Sequence, residues 1–140
     1  MSISFQGVIS HIFDENWTIA IEAYLDSGGD INYKDELQGW SLMHYAAEHQ
    51  NIEAIKILAH RGANLNIQDL NGWTPLHLAV DSDIDGANQQ NEEIKMTTTK
   101  TFLSLGASPL IRNNKNDTPR DIASHYGQNV LEKYDSIILS

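Results

Sequence analysis

A stretch of nine residues recurs 33 residues further along the chain, and this period restricts the folds that the chain can adopt. Residues 39–47 have the sequence GWSLMHYAA, and residues 72–80 have the sequence GWTPLHLAV. A period of about 20 to 50 residues is typical of a solenoid, in which each unit packs only against its neighbours. The sequence therefore predicts a stack of similar units, and the commonest role of such a stack is to bind another protein.

The rest of the unit repeats as well. Residues 55–66 (IKILAHRGANLN) align with residues 99–110 (TKTFLSLGASPL), and residues 21–32 (IEAYLDSGGDIN) are an earlier copy. A later copy of the first half begins at residues 117–123, DTPRDIA. In these segments the chain resembles the ankyrin repeat, whose signature is G-x-T-P-L-H-x-A-A, then a second helix, then L-L-x-x-G-A-D-x-N. The resemblance covers nearly the whole chain, and it implies an all-α solenoid of helix-turn-helix units joined by short β-hairpin loops.

Individual residues in the repeated segments suit the beginnings and ends of helices. Thr74 is a good N-cap, and Pro75 fits the first helical turn, where its missing N–H costs nothing. Gly62 and Gly106 follow the second helix of a unit, where a residue in the left-handed conformation commonly ends it. The Asn-Gly pair at residues 71–72 is a strong turn signal, which predicts a short hairpin between units.

The alignment divides the chain into four units. Residues 1–37 form an N-terminal cap, whose second helix includes Trp17 to Leu25. Residues 38–71 are the first full repeat, and residues 72–116 are the second, which carries an insertion. Residues 117–140 form a C-terminal cap. Two full repeats with two caps are close to the minimum for a stable stack, so a single domain is expected.

Two positions of the repeat, one inside the first helix and one in the hairpin, carry polar residues that bear on the fold. His44 and His77 fall inside apolar helical segments, where buried polar groups are normally hydrogen-bonded. We therefore expect both rings to bond to nearby backbone. In the C-terminal cap Asp121 replaces the signature histidine, and Asn116 replaces the hairpin glycine. Asparagine tolerates the left-handed conformation, so the second replacement is compatible with the fold.

The insertion adds about 12 residues between the two helices of the second full repeat. Residues 81–92, DSDIDGANQQNE, match the calcium-loop pattern D-x-[DN]-x-[DN]-G-x5-E at every specified position. The pattern predicts a Ca²⁺ site, and its side-chain ligands would be Asp81, Asp83, Asp85 and Glu92. The alternative is an acidic, solvated loop that contacts a partner, since aspartate and glycine are also ordinary turn residues.

Two tryptophans occupy the same position of successive repeats, and the C-terminal cap has Asp117 there. The resemblance implies that this position, Trp40 and Trp73, lies on the hairpin side and faces a target. Tryptophan is a preferred anchor of interfaces. The alternative is that both rings lie flat over the hairpins and stiffen the stack. The repeat alignment and the insertion add these partner-binding candidates: Tyr33, Tyr45, Glu48, His49, Asp81, Asp83, Asp85 and Arg112.

The charge of the chain indicates the kind of partner. Nineteen acidic residues against nine basic residues give a formal net charge of −10. Such a field repels nucleic acid and anionic membranes and accelerates encounters with a basic protein. We therefore predict a basic protein partner, with no direct binding to nucleic acid or membrane. Alone, the protein is expected to be a monomer.

No pattern in the sequence predicts an enzyme. GxSxG, phosphate-loop and HExxH motifs are absent, and the six histidines are scattered among the units without zinc-ligand spacing. The chain has no cysteine, which excludes a thiol nucleophile and fits a cytoplasmic location. The first residues lack the features of a signal peptide, and no apolar run is long enough to predict a membrane span.

Two functions therefore remain open. The first is a stoichiometric protein binder, either an adaptor or an inhibitor. A small acidic ankyrin protein resembles the immunity proteins that bacteria make against their own toxins, many of which are basic nucleases. The second is a calcium-responsive adaptor, in which Ca²⁺ orders residues 81–92 and changes the affinity for a partner. Sensitivity to a chelator would distinguish the two.

Overall fold

The structure, a computed structural model, describes residues 3–139 and folds them into eight α-helices with no strand in that range. The predicted all-α architecture is thereby confirmed. The ends of the two predicted caps, residues 1–2 and 140, lie outside the described residues. In chain order the helices are α1 (Phe5–Ile9), α2 (Trp17–Asp26), α3 (Leu42–Glu48), α4 (Ile52–His60), α5 (Pro75–Gln89), α6 (Thr97–Ser104), α7 (Pro119–Ser124) and α8 (Gln128–Ile138).

The helices pack in consecutive pairs, and each of the four predicted units contains one pair. The first helices of neighbouring units contact each other, α3 with α5 and α5 with α7. The second helices form another row, in which α4 contacts α2 and α6. Each unit therefore buries its apolar side against its neighbours, as expected of a solenoid. The boundaries between units stay predictions.

Small side chains allow the first helices to approach closely. Ala46, Ala47 and Ala79 are fully buried, and Leu42 and Leu76 fill the space between them without any exposure. Burying a leucine completely contributes about 1.5 to 3 kcal/mol, so the few large residues of the short first helices account for much of the stacking free energy.

The signals for helix starts and ends act as predicted. Thr74 precedes α5, and its hydroxyl oxygen accepts a hydrogen bond from the backbone N–H of the third helical residue. Ser41 and Thr118 cap α3 and α7 in the same way. Gly62 and Gly106 follow α4 and α6 with φ angles of 92° and 97°.

The hairpins between units are turns closed by backbone hydrogen bonds. Asp69 N–H donates to Trp73 O at 2.9 Å, and Asn114 N–H donates to Asn71 O of the preceding hairpin at 2.9 Å. Gly72 is required here, because its φ is 77° and a Cβ atom would lie 2.8 Å from the nitrogen of Asn114. At the equivalent position of the last hairpin Asn116 has a φ of 69°, as the sequence predicted.

The insertion does not form the loop that the calcium pattern predicted. Helix α5 continues through it and has 15 residues, whereas the equivalent α3 has 7. The cause is an apolar spacing of four residues, Leu76, Val80 and Ile84, whose side chains are all fully buried. This spacing favours a helix. Beyond the end of α5, residues 90–96 connect it to α6 without helical structure.

Candidate functional site

Each hairpin is held by one side chain that bonds to the turn it begins. The Oδ1 atom of Asp69 accepts hydrogen bonds from the backbone N–H groups of Asn71 and Trp73 at 2.8 and 2.9 Å. Asp35 and Asn113 do the same in their own hairpins. These bonds fix the backbone at the position of the predicted partner-binding residue in every unit.

The two buried histidines connect consecutive units. Nδ1 of His44 accepts a hydrogen bond from the backbone N–H of Ser41 at 3.1 Å, which leaves the ring proton on Nε2. Nε2 then donates to Trp73 O of the next hairpin at 2.9 Å. His77 repeats this arrangement and donates to Asp117 O at 2.8 Å. The predicted backbone bonding of both rings is confirmed, and burial lowers the pKa of both imidazoles.

Asp121 shows why the last unit can lack the histidine. One of its carboxylate oxygens accepts hydrogen bonds from the backbone N–H and the hydroxyl of Thr118 at 2.9 and 3.1 Å. This completes the cap of α7. Among the described residues no further hairpin follows the C-terminal cap. The last unit therefore does not require an imidazole ring that donates a hydrogen bond to the next hairpin.

Two clefts lie on either side of Trp73, between the hairpins and the first helices. The cleft toward the first full repeat has a volume of about 450 Å³, and the cleft toward the C-terminal cap about 570 Å³. Asn71, Trp73 and Asp81 line both, and we call the two clefts together the Trp73 groove. The other lining residues are Leu37, Gln38, Trp40, Glu48, Asp69, Leu70 and Leu78 on the first side, and Asn113, Asn114, Lys115, Asp117, Ile122, His125 and Tyr126 on the second.

The Trp73 groove combines exposed apolar side chains with negative charge. Leu37 and Leu70, at its edge, are 84% and 62% exposed. Asp81 accepts a hydrogen bond from the hydroxyl of Tyr126 at 2.6 Å, and burial together with this bond raises the pKa of the phenol. The groove contains four carboxylates and a single lysine, which makes it attractive to a cationic group. These charged residues are Glu48, Asp69, Asp81, Asp117 and Lys115.

The two tryptophans differ in how firmly they are held. Nε1 of Trp40 donates to Oδ2 of Asp69 at 3.0 Å, and its ring lies nearly parallel to that of His44, with an interplanar angle of 13°. The ring of Trp73 is tilted by 44° from that of His77. Trp40 therefore fits the alternative in which the ring stiffens the stack, while Trp73 stands between the two clefts.

Six predicted partner-binding residues do not line the Trp73 groove, namely Tyr33, Tyr45, His49, Asp83, Asp85 and Arg112. The hydroxyl of Tyr45 donates to Asp35, and the ring of Tyr33 packs on that of Phe5 with centroids 4.8 Å apart. His49 contacts the ring of Phe13, and Arg112 donates to Asn116 O and approaches Asp121. The groove brings together only five of the predicted residues, namely Trp40, Trp73, Glu48, Asp81 and Asp117.

The predicted metal ligands do not converge. Residues two positions apart on a helix point in different directions, and Asp83 is buried whereas Asp85 is exposed. Asp85 accepts a hydrogen bond from Gln89 within α5, while Glu92 lies beyond the end of the helix. Within residues 3–139 no group of three or more His, Cys, Asp or Glu side chains is placed to hold a metal ion. The predicted calcium-loop geometry is therefore wrong.

Asp83 instead connects α5 with α6 of the second full repeat and with Gln50 of the first. Its Oδ2 atom accepts hydrogen bonds from the backbone N–H and the hydroxyl of Thr99, both at 2.8 Å. Its Oδ1 atom accepts a hydrogen bond from Nε2 of Gln50 at 2.8 Å. The N-cap residue of α6, Met96, provides no side-chain bond, so Asp83 supplies this function from the neighbouring helix. It is a structural residue rather than a contact residue.

The sequence interpretation missed several residues of the groove. His125 occupies the position of Glu48 and Asp81 in the C-terminal cap, so a complete repeat alignment would have found it. Tyr126 occupies the position of His49, so the same alignment would have found it, whereas Lys115 carries no such signal because no predicted residue has the equivalent position.

Comparison with known proteins agrees with the repeat pattern. The family model for ankyrin repeats in three copies matches residues 14–94. A stretch of 98 residues is 31% identical to the human neurogenic locus notch homolog protein 1 and covers 70% of this chain but 4% of that protein. A stretch of 99 residues is 35% identical to the ankyrin repeat-containing protein P1E11.10 of Schizosaccharomyces pombe, covering 69% of this chain and 46% of the relative. The chain thus spans less than half the length of these relatives.

Proposed function

This chain belongs to the ankyrin-repeat family, and we propose that it binds and sequesters a basic partner protein without catalysing a reaction. Ankyrin repeats form protein–protein interaction modules, so a protein partner follows from the family. The observation that carries the finer proposal is the Trp73 groove, where a half-buried tryptophan stands between two clefts that contain four carboxylates.

The anchor of the interface is the exposed part of Trp73 with the leucines at the groove's edge. Buried aromatic side chains contribute most to the affinity of many interfaces, and surrounding apolar residues exclude water from them. Leu37 and Leu70 are suited to the second role because both are largely exposed in the free protein. A partner that covers them would bury apolar area at about 25 cal/mol per Å².

The charge of the chain supports a cationic partner. Its formal net charge of −10 accelerates association with a basic surface, and the groove carboxylates select against an acidic one. We propose that the partner is a basic toxin or effector, which the protein inhibits in the manner of an immunity protein. We also propose that this protein is a monomer in the absence of its partner and that it acts in the cytoplasm. No helix among residues 3–139 is long and apolar enough to cross a membrane.

Affinity capture from a lysate of the source organism tests this function when it is made quantitative with variants. The wild type is expected to retain a basic protein. Trp73→Ala should lower the affinity for that protein by at least about tenfold, which is equivalent to 1.4 kcal/mol. Leu105→Ala is the matched control, because Leu105 is an exposed apolar residue that borders the second helices rather than the groove. Equal retention by Trp73→Ala and the wild type would contradict the proposed groove.

Parallel washes with calcium and with EDTA address the metal-dependent alternative. Because residues 81–89 are helical and their carboxylates are separated, we expect the same retention in both washes. Retention that requires calcium would instead favour a calcium-responsive adaptor.

A further inference from the structure

The hairpins that follow the two tryptophans begin with different residues, an aspartate in one and an asparagine in the other, and these two side chains differ in one heavy atom. Asp69, which begins the second hairpin, has a second carboxylate oxygen that accepts the indole N–H of Trp40 at 3.0 Å. The equivalent residue of the next hairpin is Asn113. Its Oδ1 atom accepts the backbone N–H groups of Lys115 and Asp117 at 2.9 and 3.0 Å, so the orientation of the amide is fixed. The atom left in the position of the second oxygen is therefore Nδ2, a donor.

The asparagine leaves one buried donor without an acceptor, and the indole N–H of Trp73 is a second donor without a protein acceptor in the described residues. Nδ2 of Asn113 is buried and has no hydrogen-bond partner in the structure. The residue as a whole is only 6% exposed. The indole N–H of Trp73 makes no hydrogen bond equivalent to that of Trp40 within residues 3–139, and because it is not one of the buried atoms without a partner, it has access to solvent. A buried donor without a partner costs about 1 to 3 kcal/mol, so an acceptor that reached it would be strongly favoured.

Resting on the proposed function, we infer that the cleft between Trp73 and Asn113 receives a neutral amide carbonyl of the partner, either from its peptide backbone or from an Asn or Gln side chain. The carbonyl oxygen has two lone pairs and accepts one hydrogen bond from each of the two donors. Since Nδ2 is covered in the free protein, the Trp73 ring shifts to admit the carbonyl. Its tilt of 44° from His77, against 13° for the Trp40 pair, is consistent with a ring that lacks a fixing bond.

The other groups of the cleft favour a neutral acceptor over a carboxylate. Asp81 and Asp117 line the same cleft, and Lys115 is the only lysine or arginine among its lining residues. A carboxylate of the partner would be repelled by these two. An amide carries no charge and still offers a strong acceptor, so it satisfies the donors without this repulsion.

The first experiment titrates the ¹⁵N-labelled full chain with N-acetylglycine N-methylamide and follows the indole N–H signals by NMR. Trp73→Phe assigns the signals. We expect the probe to move the Trp73 indole and the Asn113 side-chain amide downfield, while the Trp40 indole, which is already bonded to Asp69, stays in place. Equal displacement of the two indole signals, or displacement of neither, would overturn the inference.

Exchanging the two hairpin residues provides the matched controls. Asn113→Asp supplies the missing oxygen, so the Trp73 indole should shift in the absence of probe and should no longer respond to it. Asp69→Asn removes the acceptor of Trp40, so the Trp40 indole should now respond. A Trp73 signal that responds equally in wild type and Asn113→Asp would overturn the inference even if Asp69→Asn failed to fold.

The same titration with acetate distinguishes an amide site from an anion site. We expect a smaller displacement of the Trp73 indole than with the amide, and a larger one would overturn the assignment of a neutral ligand. The outcome is independent of the capture experiment. Loss of a basic protein by Trp73→Ala without any response to the amide probe would refute only the acceptor site, whereas a response to the probe without such a protein would refute only the proposed function.

Discussion

Trp40 and Trp73 occupy the same position in successive repeats and yet have different surroundings. Trp40 donates its indole N–H to Asp69 of the next hairpin and lies parallel to His44. The hairpin after Trp73 has Asn113 in place of the aspartate, and the Trp73 ring is tilted relative to His77. The comparison teaches that the role of a repeated residue depends on its partner in the following unit. The bonded ring stabilises the stack, and the unbonded ring remains available for an external ligand.

Replacing each tryptophan by alanine should give opposite effects on stability and binding. Trp40→Ala removes a ring packed between two aromatic neighbours together with its hydrogen bond, and we expect it to lower the free energy of unfolding by about 3 kcal/mol. Trp73→Ala should lower it by about 1 kcal/mol and weaken partner binding by at least about tenfold. Urea unfolding followed by circular dichroism measures the first quantity. A larger loss of stability in Trp73→Ala would reverse the assigned roles.

The acidic insertion allows a similar comparison on one helix, between a buried aspartate that bonds to other helices and an exposed aspartate that bonds only within its own helix. Asp83→Ala leaves the backbone N–H of Thr99 buried without its partner, and we expect a loss of about 2 to 3 kcal/mol. Asp85 is exposed and bonds only to Gln89 of its own helix, so Asp85→Ala should change stability by less than about 0.5 kcal/mol. Thermal unfolding of both variants provides the measurement. Equal effects would mean that Asp83 does not connect α5 and α6.

The histidines beneath the two tryptophans should make the stack sensitive to acid. Burial lowers the pKa of His44 and His77 below the usual value for histidine, about 6.5. The unfolded chain therefore binds more protons as the pH falls below this value, and the stabilisation present above it is lost on approach to the folded pKa. Urea unfolding at pH 7.5 and 5.5 should show lower stability at the acidic pH. His60→Asn, at an exposed position, should leave this difference unchanged, while His77→Asn should reduce it.

The local rules of the repeat were sufficient to predict the helical stack and part of the groove. Thr74, Pro75 and Gly62 act at helix ends for reasons that depend on single residues, and the bonding of His44 follows from its burial. The place of Trp73 on the hairpin side followed from the resemblance to the ankyrin repeat.

The remaining features depend on contacts between units. The calcium pattern describes residue types at fixed positions, but it ignores the spacing of Val80 and Ile84 that continues helix α5. Tyr45 was expected to face a partner, and its hydroxyl bonds to Asp35 in the hairpin that precedes α3. The contrast between Asp69 and Asn113 gains meaning only when the following hairpin is stacked on the preceding tryptophan.

Hydrogen exchange of the indole N–H groups in the free protein tests the central claim most directly. The hydrogen bond to Asp69 should protect the Trp40 indole, and the Trp73 indole, without such a bond, should exchange at least about ten times faster. In Asn113→Asp the rate at Trp73 should fall toward that at Trp40. Equal exchange of the two indoles in the wild-type protein would contradict the distinction between a structural and a ligand-binding tryptophan.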